Sequence, residues 1–235
     1  MTESEADRSS DEYTLTDLDI ARFKAEYQRG MVAINNPILH TAAKRVPTQE
    51  VRSSHIAAIV KRLYDVALDQ RKKDGEDTKR RTLVGLAAPQ IGEPYCIMLV
   101  DTTVDQDRKK YGELVCFINP TIVWRSRETE EGREGCFSAG PVWGLVRRPV
   151  AIKVQAYTPE GVEFTTILED MSARIASHEI DHLAGIRFPE RIRLDRKRHW
   201  VHTEELSVYV KEINHWKRTC TQKQWEQLKL HGLGK

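Results

Sequence analysis

Cysteine is scarce in this chain and its copies are scattered. Only 4 occur in 235 residues, Cys96, Cys116, Cys136 and Cys220. None forms a Cys-x-x-Cys pair, which excludes a disulfide staple framework, and a core of this length needs none. Long apolar runs are also missing, and the longest are far too short to span a bilayer. The start, Met1-Thr2-Glu3-Ser4-Glu5-Ala6-Asp7, is acidic without an apolar core, which opposes a secretory signal or an arginine-rich transit peptide. A cytoplasmic, reducing setting without membrane attachment is therefore expected. Excess charge of one sign is absent: 37 bases stand against 35 acids, net +2, so no specific nucleic-acid partner is implied. Hydrophobic content of 40% and charged content of 31% describe a soluble globular protein.

Against that plain background, His178-Glu179-Ile180-Asp181-His182 stands out. On a helix, positions i and i+4 share a face. Two imidazoles so placed can hold one metal ion, and the adjoining Glu179 can reach a water activated by it. Chance patterns of this kind do occur on surface helices, so the rest of the site must be found. A catalytic site of this type needs a third protein ligand and an open position. Six residues after His182 the chain has Phe188, not a third histidine. Glu190, Glu204 and Glu205 are downstream candidates. Cys136 is the better one, because Gly135 beside it allows close backbone approach. A thiolate with two imidazoles suits zinc, iron, cobalt or nickel alike. Cys96 and Cys116 lie in apolar runs and read as small buried hydrophobes, while Cys220, in a polar helical tail, has no expected chemical role.

The third element is Gly85-Leu86-Ala87-Ala88-Pro89-Gln90-Ile91-Gly92. Its small residues let another chain lie close, and the Gln90 amide can donate to an oxygen. A tight loop under a helix is the plain alternative. The glycine spacing fits no phosphate or dinucleotide loop.

Helical spacing marks 15–27, 49–71 and 171–185, the last with Gly185 at its end. Strands are expected at 95–100, 114–118, 121–124, 150–157 and 163–168, and 72–81 reads as a charged loop. Strands gathered between helices predict an α+β fold, with mixed or antiparallel strands packed around the metal-binding helix. Three parts follow: a disordered tail at 1–14, a catalytic domain at 15–193 and a helical C-terminal extension at 194–235. The extension carries Trp200, Trp216 and Trp225 with Leu206, Val210 and Ile213 at helical spacing, so packing against the domain body or a dimer partner is its first reading.

Taken in order, Gly85-Leu86-Ala87-Ala88-Pro89-Gln90, Glu134-Gly135-Cys136-Phe137-Ser138 and the His178 to His182 helix resemble the motifs of the peptide deformylase family. The likeness runs over about 32–193 and includes Asn36-Pro37-Ile38-Leu39, Phe117-Ile118-Asn119-Pro120 and Val146-Arg147-Arg148-Pro149. It implies a hydrolase that removes the formyl group from formyl-methionyl peptides of new proteins and releases formate. Cys136, His178 and His182 would hold one divalent metal, with Fe(II) as the native ion and Zn, Ni or Co able to replace it. Glu179 would move the proton, and Gln90 with the Phe137 backbone N–H would donate to the charged oxygen. Glu134, Arg148 and Asp181 would support the ligands from behind. The peptide would lie extended between Val84-Gly85 and Gly135, with Met171 and Ile175 facing its first side chain. A ribosome contact through the tail is a further expectation, since some bacterial relatives dock by a C-terminal helix.

Departures from the family pattern bear on the cleft. Leu83 stands for a glycine, Ser138-Ala139-Gly140-Pro141 replaces Ser-Val-Pro-Gly, and Trp143 follows near the expected cleft mouth. A narrowed cleft would favour another formamide substrate. A zinc peptidase with a downstream glutamate ligand, or a binding module without activity, are the readings from other classes.

Overall fold

The computed structural model describes Thr16, Asp19, Ala21 and residues 30–76, 83–104 and 111–232, side chains of 70–76 excepted. The tail expected at 1–14 and nearly all of the helix expected at 15–27 lie outside the described residues. Within them, eight strands form two antiparallel sheets. The larger has the order β1 (Gly85–Ala87), β2 (Ile97–Asp101), β3 (Leu114–Arg125), β6 (Ala151–Tyr157), β7 (Glu163–Glu169). The smaller joins β4 (Thr129–Gly135), β5 (Val142–Pro149) and β8 (Arg198–Trp200). Helix α1 (Ser54–Glu76) and helix α2 (Asp170–Leu183) cover the larger sheet; α3 (Leu206–Glu212) and α4 (Gln222–His231) follow β8.

Strand alternation explains how one sheet serves two helices. Side chains of successive residues point to opposite faces. Ile97 and Leu99 of β2 therefore join Ile56, Ile59, Leu63 and Ala67 of α1, while Met98 and Val100 join Ala173, Ile175 and Ala176 of α2. Both faces being covered, β2 is buried throughout, and the small alanines of α2 let its axis lie close to the sheet. Helix α2 is thereby fixed on a rigid platform, which is what its histidines need.

Several expectations need correction. Helix α1 begins at Ser54, since Thr48–Glu50 forms a 3-10 turn and the Ser53 hydroxyl caps Ile56 N–H at 3.3 Å. It continues through 72–76, where a loop was expected; 77–81 are outside the described residues. The two strands expected at 114–118 and 121–124 are one, with a register shift where Asn119 takes φ +55°. That residue's amide bonds Val46 on both backbone groups, at 2.8 and 2.7 Å, which holds the unusual conformation. Cys116 is buried as expected, but Cys96 is only partly so, its thiol 3.3 Å from the Ala43 carbonyl.

The C-terminal extension is not wholly helical. Its strand β8 pairs with β5, Trp143 opposite His199. Trp225 and Cys220 are fully buried with Ile34, Val142 and Phe188 of the domain body. Cys220 thus sits in the core, not in a polar tail. Trp200, Tyr209, Trp225 and Leu228 of the extension pack inward, while Leu194, Val208 and Leu230 are exposed. Asp19 of the N-terminal arm is also buried, accepting from Thr203 N–H at 2.8 Å and its hydroxyl at 2.7 Å.

Candidate metal centre and active site

Cys136 follows β4 directly and precedes a 3-10 turn, Phe137–Ala139. Helix α2 presents His178 and His182 one turn apart toward it. One ligand atom from each of the three lies within 4.8 Å of the others, with Cys136 Sγ 3.4 Å from His182 Nε2. His178 Nδ1 lies 2.9 Å from Glu134 Oε2, which turns its other nitrogen toward the group. Phe188, at the place of a third histidine, stacks on the His178 ring at 5.9 Å and 24° instead. Ligand-type atoms converging on one point, with an imidazole already oriented by a carboxylate, fit a divalent ion.

Glu179 completes the arrangement. It is buried, and its Oε2 has no hydrogen-bond partner among the described residues. A carboxylate oxygen left so needs a proton or a ligand. Burial pushes its pKa up to about 7, with His178 and Arg148 pulling down and Glu134 and Asp181 adding to the rise. Gly85 explains how the carboxylate fits: a Cβ there would stand 2.5 Å from Glu179 Oε1 and 2.8 Å from Ile175 Cγ2. Only glycine lets β1 and α2 approach so closely.

Gln90 has its amide orientation set by the network. Its Oε1 accepts from Ala87 N–H at 2.7 Å, so Nε2 faces Cys136 Sγ at 3.3 Å and Ser138 Oγ at 3.2 Å. Phe137 starts the turn after Cys136, with its ring against the α1 side of the core. Val84 and Gly85 run beside α2; Ile175 is buried and Met171 partly buried on the same helix, and Gly135 ends β4.

Beneath the ligands lies a buried ionic network. Arg148 holds Glu134 through both carboxylate oxygens at 2.9 Å and Asp181 at 2.5 Å. Burial would raise the Glu134 pKa, but the Arg148 charge and the hydrogen bonds from Arg148 and His178 hold it well below the usual carboxylate range. Glu134, Arg148 and Asp181 are thus brought together by hydrogen bonds. Sequence reasoning missed Arg174, which reaches Glu134 at 3.0 Å, and Arg191, which reaches Asp181 at 2.5 Å. Arg174 stands four before His178, one helical turn, and that spacing was the available signal. Ser138 was also passed over as a partner for Gln90.

Two expected cleft residues are placed otherwise. Leu83 packs against the α1 cluster. Trp143 is only 9% exposed; its indole lies across Gly135, where a Cβ would stand 2.4 Å away, and meets Tyr209 of α3 at 6.0 Å. It supports the back of the turn; it is not at an open cleft mouth.

This fold and site define a class: an α+β hydrolase of the metal-dependent kind. Comparison with known proteins makes it specific. A family profile described as Polypeptide deformylase matches residues 29–198. The peptide deformylase of Halalkalibacterium halodurans is 36% identical over 190 residues, covering 79% of this chain and 96% of its own length. That of Polynucleobacter necessarius is 35% identical over 159 residues, covering 68% and 82%. Among solved structures, the class I type b peptide deformylase of Acinetobacter baumannii with Met-Ala-Ser bound is 30% identical, with a TM-score of 0.59, covering 69% of this chain and 96% of that one. Peptide deformylase 1B of Arabidopsis thaliana, bound to an inhibitor, is 25% identical with a TM-score of 0.59. The chain belongs to the polypeptide deformylase family, metal-dependent hydrolases that remove the N-terminal formyl group from polypeptides. The peptidase and inactive-module readings fall with that assignment.

Proposed function

We propose that Cys136, His178 and His182 hold one divalent ion, and that Glu179 moves the proton during deformylation of formyl-methionyl peptides. When bound, the ion would supply Lewis acidity that lowers the pKa of a water molecule toward neutrality. Glu179 accepts a proton from that water as its oxygen attacks the formyl carbon. The carbon becomes tetrahedral and negative charge collects on the formyl oxygen. Gln90 Nε2 and the Phe137 backbone N–H stabilise that charge as donors. The C–N bond then breaks, Glu179 returns its proton to the amine nitrogen, and formate leaves.

Glu134 fixes the His178 ring, and Arg148 with Asp181 fixes Glu134. The peptide lies extended between Val84-Gly85 and Gly135, with Met171 and Ile175 beside its first side chain. Fe(II) is the native ion in this reading, with Zn, Ni or Co as replacements, because a thiolate and two imidazoles accept all of them. The setting is cytoplasmic. No helix among the described residues is long and apolar enough to cross a membrane. A ribosome contact would fall to exposed lysines of the extension, such as Lys211, Lys217 and Lys223, since its aromatics face inward.

The observation that carries this reading is the buried, unpartnered Glu179 oxygen beside three converging ligand atoms. Glu179→Gln tests it: the metal should be retained while formate release falls by at least ~10²-fold. Near-normal turnover in that variant would remove Glu179 from the reaction.

A further inference from the structure

Arg187 is fully buried, yet no carboxylate bonds its guanidinium among the described residues. Its Nη1 donates to the Ser138 carbonyl at 2.7 Å and the Ile34 carbonyl at 2.8 Å; its Nη2 lies 3.1 Å from His40 Nδ1. The guanidinium lies over the Trp225 indole at 4.7 Å. A buried charge held by carbonyls and one aromatic face is costly, so what it holds is informative.

It holds the turn after Cys136. Ser138 is caught at its carbonyl by Arg187 and at its hydroxyl by Gln90, whose amide also reaches Cys136 Sγ. A shift of Ser138 therefore passes to a metal ligand and to the oxyanion donor together. Trp225, the other side of the clamp, lies beyond the family match at 29–198. The A. baumannii enzyme is matched over 96% of its length by 69% of this chain. A second contact points the same way: Tyr209 of the extension backs Trp143, which lies on Gly135, directly before Cys136.

We propose that Arg187, clamped on Trp225, is a positioning residue for deformylation, through which the C-terminal segment sets the turn carrying Cys136 and the donor Gln90. Misplacement by about 1 Å can cost ~10²-fold in rate. The proposal rests on the metal-site reading above, and the experiment separates the two.

Full-length parent, Arg187→Met, Trp225→Leu and Trp225→Phe proteins are loaded with Co(II). The thiolate-to-cobalt absorption is recorded, and kcat and KM are measured on formyl-Met-Ala-Ser. Trp225→Leu leaves a smaller apolar side chain without an aromatic face; Trp225→Phe keeps a face in a side chain that is also smaller than the indole. Arg187→Met and Trp225→Leu should lower kcat by about tenfold or more with KM within roughly twofold, and should shift the cobalt spectrum. Trp225→Phe should recover most of both. If Arg187→Met does not fold, the Trp225 pair decides. Parent-like kcat and spectrum in Trp225→Leu, or a change confined to melting temperature, overturns the proposal and leaves the metal-site reading intact. A parent lacking the thiolate band overturns both.

Discussion

Two buried guanidiniums flank the turn that carries Cys136, and they are held in opposite ways. Arg148 meets carboxylates, Glu134 through both oxygens and Asp181 through one, and its pKa is raised as a result. Arg187 meets carbonyls, an imidazole and an indole, and burial pushes it down to about 10 despite Glu190 and Cys136 nearby. The first arrangement sets carboxylates against its guanidinium close to the histidines and holds His178 through Glu134. The second keeps a positive charge beside the thiol-bearing turn and holds backbone, not ligands. Orientation of His178 and placement of the loop are thus separate tasks with separate supports.

The widest gap between the two should appear on removing Glu134. Glu134→Ala leaves Arg148 with Asp181 alone, takes one partner from Arg174 and leaves His178 Nδ1 unsupported. Breaking such a buried pair costs about 3–5 kcal/mol, and losing the histidine's partner costs ~10–100-fold in metal affinity. Urea denaturation and chelator competition measure the two effects. Parent-like metal affinity in this variant would show that Glu134 does not orient His178.

A direct contrast comes next in size. Arg148→Met should cost at the lower end of about 3–5 kcal/mol, because Arg174 still serves Glu134 and Arg191 still serves Asp181. Arg187→Met should cost less, about 1–3 kcal/mol, since it exchanges lost carbonyl hydrogen bonds for relief of a desolvated charge. Its kcat loss should therefore exceed what its stability loss explains. Equal stability losses in the two variants would erase the distinction drawn here.

The Arg148 side was legible in the amino-acid sequence and the Arg187 side was not, for physical reasons. His178, Glu179, His182, Cys136 and Gln90 carry chemistry in their side-chain types, and ligand spacing on a helix is a local property. Strands such as β2, β6 and β7 announce themselves by apolar runs or alternation. The strand Thr129–Gly135 does not: it is charged, holds two glycines, and owes its existence to pairing with Val142–Pro149. Trp143 was misplaced because only the cross-strand register puts its indole on Gly135. Trp225 sits in a largely polar helix, and nothing local shows that it is fully buried under an arginine 38 positions earlier. Arg187 itself looks like any surface base until Ile34, His40 and Ser138 are brought around it.

The smallest expected effect concerns another buried charge, a carboxylate that joins the N-terminal arm to the C-terminal segment. Asp19 is a carboxylate that accepts from Thr203 N–H and hydroxyl and from Thr16 N–H at 3.2 Å, with His202 Nδ1 at 2.7 Å. Burial alone would raise its pKa, but the hydrogen bonds from His202 and Thr203 outweigh that and lower it from 3.8 to about 2. A carboxyl with a depressed folded-state pKa stabilises fully above its ordinary value, and the contribution fades as pH falls through the depressed one. The tie between N-terminal arm and C-terminal segment should therefore hold at neutral pH and weaken from about pH 4 to pH 2. The Glu134 network, held lower still, should outlast it. Asp19→Asn should be less stable than the parent by on the order of 1 kcal/mol at neutral pH, with the difference shrinking toward zero near pH 2. Melting temperatures of both proteins across that range check the sign. A gap that stays constant or widens on acidification would mean that the Asp19 charge does not hold the two ends of the chain together.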